Sequence, residues 1–210
     1  MNDKGGGPRP PRRTQADRSA ATRAALVDAA RPLFAARGFA AVGSEELVRA
    51  AGVTRGALYH HFGGKERLFE AVFEAVEHDL AERLAAVVAA GPAARGGDPV
   101  AALAEAAEAW LDACREPEVQ RIGLLDAPVV LGWERWREIG WRYGMGLVEA
   151  GVQAAMDAGR LRPAAVRPLS HLLLGALEEA GLLVGRAEDQ EAARDEMAEA
   201  VRVLLGGLAA

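Results

Sequence analysis

Residues 54–65 read TRGALYHHFGGK, which places a hydroxyl, a guanidinium, a phenol, two imidazoles and an ammonium within twelve positions. All can donate hydrogen bonds, so the chemistry they suit is recognition of an anionic partner. Arg55 brings a guanidinium to the leading end of the run, while Tyr59, His61 and Lys65 can donate to phosphate oxygens. Gly56 and Ala57 beside Arg55 are small enough for close backbone approach. Two other chemistries fit poorly. Adjacent His60 and His61 on a helix would point about 100° apart and have no nearby carboxylate or cysteine partner, so no metal site is expected. The acidic C-terminal part of the chain offers no spaced His/Asp/Ser set and no phosphate-cradling loop, so neither an enzyme nor a cofactor is expected.

Those donors need a scaffold, and residues 44–62 provide a candidate: SEELVRAAGVTRGALYHHF. Ser44 is expected to cap a short helix through about Ala51, with Glu45 and Glu46 favourable in its first turn. Gly52 breaks the chain, Thr54 caps a second short helix through about Phe62, and Gly63-Gly64 breaks it again. Leu47, Ala51, Val53 and Leu58 can form the small core that holds two such helices at a steep angle. This is the helix-turn-helix arrangement, in which the second helix enters a major groove about 12 Å wide. Its leading end here is Thr54, Arg55, Gly56 and Ala57.

The remaining sequence is helical text as well, and the chain reads as all-α. Residues 1–18 are rich in Gly, Pro and Arg and are expected to form a flexible basic arm; Arg12 and Arg13 are candidate minor-groove contacts. Leu26, Ala29, Ala30, Leu33 and Phe34 mark the apolar face of a first helix. Pro32 costs that helix a backbone hydrogen bond, and Gly38 ends it. A long helix over Lys65–Ala90 carries Leu68, Val72, Val76, Leu80, Leu84 and Val87 along one side and would be a rod of roughly 37 Å. Residues 91–99 read as a loop in which Asp98-Pro99 starts the next helix. Further helices are expected over about 99–115, 117–125, 128–158, 164–185 and 188–206. The expected domains are a helix-turn-helix unit over 19–65 and a larger helical unit over 66–210.

Composition agrees with that division. The 210 residues carry a net charge of −5, yet residues 1–65 hold 11 basic against 5 acidic side chains and residues 66–210 hold 14 against 25. A basic module that meets a polyanion and an acidic body that does not would produce this asymmetry. A single cysteine excludes an intrachain disulfide and suits a reducing compartment. No run of 18 or more apolar residues occurs and the first residues lack a secretory h-region, so a cytoplasmic protein with no membrane partner is expected.

The blocks TRAALVDAARPLFAARGF and ELVRAAGVTRGALYHHFGGKERLFEAV resemble the N-terminal DNA-binding domain of TetR-family transcriptional regulators over about residues 20–75. LLDAPVVLGWERWRE is similar to the C-terminal domains of some members. The resemblance implies that Tyr59 and His61 grip the phosphodiester backbone and that Lys65 opens the fourth helix and meets a phosphate. It implies that Arg55, Gly56 and Ala57 face the bases, that Thr54 caps its helix and touches the backbone, and that Ser44 lies near a phosphate. Gly43 stands where Ser or Thr is common, and Pro32 is unusual in the first helix.

The resemblance further implies an effector pocket and a dimer interface in the C-terminal helices. Trp110, Trp133, Trp136, Trp141, Tyr143 and His171 are the candidate pocket walls, with Arg121, Asp126 and Glu178 as candidate polar anchors, fitting an apolar or aromatic small molecule. Leu169, Leu173, Leu177 and Val184, with Met197, Val201, Leu204 and Leu208, form two apolar seams suited to a four-helix homodimer interface. The resulting expectation is a homodimeric, ligand-responsive repressor that binds a pseudo-palindromic double-stranded DNA operator. Packing alone would equally place the tryptophans, and the seams, inside one protomer.

Overall fold

The computed structural model describes residues 14–91 and 96–210; Arg12 and Arg13 lie outside them. Helix α1 runs from Gln15 to Ala41. It begins earlier than the composition suggests because Thr14 and Asp17 close a reciprocal cap. The Thr14 hydroxyl accepts from the Asp17 amide at 3.1 Å, and the Asp17 carboxylate accepts from the Thr14 amide at 2.8 Å. Residues 15–18, expected in the arm, are therefore helical. Pro32 is exposed and the backbone stays helical around it. The break falls instead at Gly38, whose φ of 76° and ψ of 165° leave the helical region.

Two short helices follow, α2 (Ser44–Ala50) and α3 (Arg55–Phe62). Gly43, not Ser44, precedes the first turn of α2, so Ser44 is already helical and its hydroxyl caps nothing. Thr54 does cap α3, accepting from the Ala57 amide at 3.2 Å. The tight turn between α2 and α3 passes through Gly52 at φ 65°, a backbone conformation that a β-carbon disfavours. Helix α4 (Lys65–Ala90) is the long rod that the apolar spacing predicts.

The body contains α5 (Pro99–Ala113), a π-helix (Val119–Asp126), α6 (Ala127–Leu131), α7 (Trp133–Asp157), α8 (Val166–Arg186) and α9 (Gln190–Gly207). Asp98 caps α5 as expected, accepting from the Val100 amide. Two elements differ from the periodicity reading. The stretch expected as an ordinary helix over 117–125 winds with π geometry, and the long helix expected over 128–158 splits at Gly132, where φ is 80°. Among the described residues the only extended pairing is a single bridge between Leu161 and Ala209.

Helix α4 joins the two parts. Its first half packs on α1, where Phe34, Phe39 and Phe69 form a ring cluster with centroids 5.2–5.9 Å apart. Its second half turns into the body. One apolar core therefore continues from Leu26 in the head to Ala198 in α9.

Candidate functional site

The head presents α3 edge-on. Leu58 and Phe62 are buried at 0% and 5% exposure and anchor the helix, while Thr54, Arg55, Gly56, Tyr59 and His60 are exposed. The two anchors are four residues apart, so one face is held and the opposite face is free. Leu47 and Leu58 are buried, with Ala51 and Val53 packed against them, which is the small core foreseen for this motif. Arg55 stands with its guanidinium 5.6 Å from the Tyr59 ring centroid and 3.0 Å from Glu45 Oε1. Both members of that ion pair are largely exposed, so water and salt weaken it and the guanidinium can change partner. A β-carbon at Gly56 would meet only Thr54 Oγ1 at 3.8 Å. The protein itself therefore does not demand a glycine there. Ala57 and His61 are half-buried, and the His61 carbonyl accepts from Arg23 of α1 at 3.2 Å.

Lys65 behaves differently from the other donors. Its ammonium donates to the carbonyls of Phe39 and Val42 at 2.9 Å each and lies 3.9 Å over the Phe39 ring. Two of its three protons thus hold the end of α1 against the start of α4. Ser44 is half-buried on the first turn of α2.

A second set of contacts joins head to body. The Asp126 carboxylate accepts from the Phe39 amide at 2.6 Å, and Arg121 lies across the kink at Gly38. A β-carbon at Gly38 would come within 2.5 Å of Arg121 Nε. The Arg121 guanidinium also lies 3.8 Å from Asp126. These two residues, suggested above as pocket anchors, are instead the joint between the π-helix and α1. Arg31 of α1 adds ion pairs to Asp79 and Glu118, which raise its already high pKa, the Glu118 hydrogen bond most.

The body encloses a cavity of about 260 Å³ between α4, α5, α7, α8 and α9. Trp110, Trp136, Tyr143 and Glu178 line it, as does Leu124 of the π-helix. The indole N–H groups are already used: Trp110 donates to the Leu177 carbonyl at 3.0 Å and Trp136 to the Gly123 carbonyl at 2.9 Å. Both rings are thus fixed as walls. Trp133 and His171 do not line the cavity. Trp133 is 50% exposed beside Trp136, and His171 packs against Trp141, ring centroids 4.6 Å apart. Trp133 shares its face of α7 with Gly140, seven residues on, but sits at the exposed start of the helix, and His171 is half-buried against Trp141 instead of the cavity.

Glu77 also lines the cavity, a position that aromatic residue type does not reveal. It lies four residues after Phe73 and three before Leu80, on the buried stripe of α4, and a lone carboxylate on an apolar stripe is the signal that marks it. It is half-buried and lines the cavity. Desolvation, with the Glu178 charge adding to it, pushes its carboxyl up to about 7. Desolvation also raises the Glu178 carboxyl, and the Trp141 indole N–H and the Arg137 guanidinium 3.6 Å away oppose that rise. Burial likewise pushes the Cys114 thiol up.

The apolar seams of α8 and α9 face mainly inward. Leu173, Val184 and Val201 are buried, and Leu169, Leu177, Met197 and Leu208 are half-buried against the core. Of the eight residues only Leu204 is exposed. The free apolar stripe lies one step round each helix: Leu172, Ala176 and Leu183 on α8, and Ala200, Val203 and Leu204 on α9. A helix packed among several neighbours buries its strongest apolar face within its own chain first, and so the interface candidate is the weaker face.

Residues 26–72 match the family described as bacterial regulatory proteins, tetR family. Residues 100–208 match the tetracyclin repressor-like C-terminal domain. The crystal structure of a TetR-family transcriptional regulator from Pectobacterium atrosepticum is 33% identical. That match covers 94% of this chain and 98% of that one, with a TM-score of 0.82. The transcriptional regulator SrpR of Pseudomonas putida is 42% identical over 59 residues, 28% of each chain. AcrR of Shigella flexneri is 38% identical over 84 residues, 40% of this chain and 37% of that protein. The match therefore spans well under half the length of these two curated relatives.

Proposed function

The chain belongs to the TetR family of transcriptional regulators, and on that premise we propose that it is a ligand-responsive repressor which binds a pseudo-palindromic operator as a homodimer. The observation that carries this reading is the exposed leading end of α3. Arg55 and Tyr59 face solvent there while Leu58 and Phe62 lock the helix from behind. In this reading Arg55 reads a guanine edge. Gly56 and Ala57 allow close approach, and Thr54, Tyr59, His61 and Ser44 contact the sugar-phosphate backbone. Lys65 has one proton left for a phosphate and acts mainly by fixing the entry to α4.

Two copies joined through the exposed stripes of α8 and α9 would set their α3 helices about 34–36 Å apart, one turn of duplex. The cavity is the effector site. Leu124 and the Gly123 carbonyl touch it or its Trp136 wall, while Arg121 and Asp126 of the same π-helix hold α1 at Gly38 and Phe39. A ligand that binds one setting of the π-helix better than another shifts the head by that difference in affinity.

Footprinting of the purified protein on the DNA upstream of its own coding region tests the reading. Protection of an inverted repeat, with affinity falling steeply as salt rises, is the expected result. Equal affinity for unrelated duplexes would refute sequence-specific repression. A second reading, an adaptor that keeps the fold and acts only through protein contacts, predicts no salt-dependent association with any duplex.

A further inference from the structure

Taking the cavity as the effector site, we infer that its ligand is a compact organic cation, an amine whose charge sits between Glu77 and Glu178 and whose apolar body lies against Trp110, Trp136 and Tyr143. The geometry begins at Gly140 of α7, which faces both acids. A β-carbon there would stand 3.5 Å from Glu178 Oε1 and 4.0 Å from Glu77 Oε2. Both carboxylates thus reach the same point of α7, and the absence of a side chain leaves that point open. Gly144 and Gly151 continue the same lining stripe toward the other end of the cavity.

Charge counting then selects the ligand. From α8, Glu178 has Arg137 as a partner at 3.6 Å. From α4, Glu77 has no hydrogen bond or ion pair among the described residues. The other titratable group that senses Glu77 is the buried Cys114 thiol, whose pKa Glu77 helps to raise. Two acids therefore face one guanidinium, and the polar end of the cavity lacks one positive charge. An anionic ligand would meet two carboxylates. A neutral apolar ligand would leave Glu77 to stay protonated and would gain nothing from it. A cation replaces lost hydration with a paired carboxylate, and the aromatic walls favour it further through their ring faces. The remaining walls are aliphatic, which suits a hydrocarbon or aryl body. At about 260 Å³ the cavity is at or just below the small end of ligand sites, about 300–1,000 Å³.

A matched series tests this with the full-length protein: 4-phenylbutylamine, 4-phenylbutan-1-ol and 4-phenylbutanoate, titrated calorimetrically at neutral pH. The amine is expected to bind at least tenfold more tightly than the alcohol, with the carboxylate weakest. Amine binding should also expel the Glu77 proton, so its heat should vary with the ionisation enthalpy of the buffer. In Glu77→Gln both the tenfold preference and the buffer dependence should vanish while the alcohol still binds. Should that variant fail to fold, Glu178→Gln and the wild-type series still decide, since the preference should shrink in the former. If the alcohol matches the amine, or if the preference survives in both variants, the cation assignment is overturned while the effector cavity stands. If no member of the series binds, the effector-cavity reading falls, and this inference with it.

Discussion

Head and body are built from the same helical material but use it in opposite ways. In the head the apolar side chains close tightly around Phe34 and Phe69, both at 0% exposure, and the polar groups of α3 point outward. In the body the walls close around an empty space, and polar groups Glu77 and Glu178 point into it. Glycine marks the contrast. In the head, Gly38, Gly52 and Gly63 have φ between 65° and 76° and turn the chain. In the body, Gly140, Gly144 and Gly151 lie inside α7 with ordinary helical backbone, and what they supply is missing side-chain volume. A surface reader needs stiff support behind it; a ligand container needs support that has been left incomplete.

If the head is the tightly packed part, Phe34→Ala should cost about 3–5 kcal/mol, with Leu174→Ala on the cavity wall costing far less. Urea unfolding of both variants checks this, and equal losses would erase the distinction. The next effect is electrostatic. Burial disfavours the ionised form of Glu77 and pushes its carboxyl from the ordinary 4.5 up to about 7 in the folded chain. Its penalty is absent below the unfolded value, grows as pH rises between the two, and is complete above the folded value. Glu77→Gln should therefore match wild-type stability near pH 3.5 and exceed it by up to roughly 3 kcal/mol near pH 8. A variant with no advantage at the higher pH would show that Glu77 is solvated after all.

Filling space comes next. Gly144→Ala places its methyl 3.4 Å from Leu174 Cδ1, an ordinary contact, and should stabilise α7 by up to about 1 kcal/mol while weakening binding of any cavity ligand. Thermal unfolding with and without the amine probe separates the two effects. The smallest stability effect belongs to Arg55→Ala, which should leave the unfolding midpoint unmoved yet relax discrimination at one base pair by roughly tenfold or more. A gel-shift series in which that variant keeps full discrimination removes Arg55 from the recognition surface.

The head was legible because its signals are local. The Thr54 cap, the Gly52 turn, and the four-residue interval from Leu58 to Phe62 each act within one or two turns. The body was only partly so. Trp110, Trp136 and Tyr143 line the cavity, whereas Trp133 and His171 do not, because residue type and helical spacing do not say how far along a helix a cavity reaches. Arg121 and Asp126 were recognised as unusual polar groups in an apolar stretch, but their partners, Gly38 and Phe39, lie more than eighty positions away in the chain.

The amino-acid sequence by itself determined the helices, the turns between α2 and α3 and the family, because caps, glycines and apolar spacing act over a few residues. Only the tertiary structure decided that Glu77 meets Glu178 in a cavity and that the π-helix bridges it to α1. It also decided that α8 and α9 expose their second-best faces. Those outcomes depend on how several helices divide a shared interior, and that division is a property of all of them together.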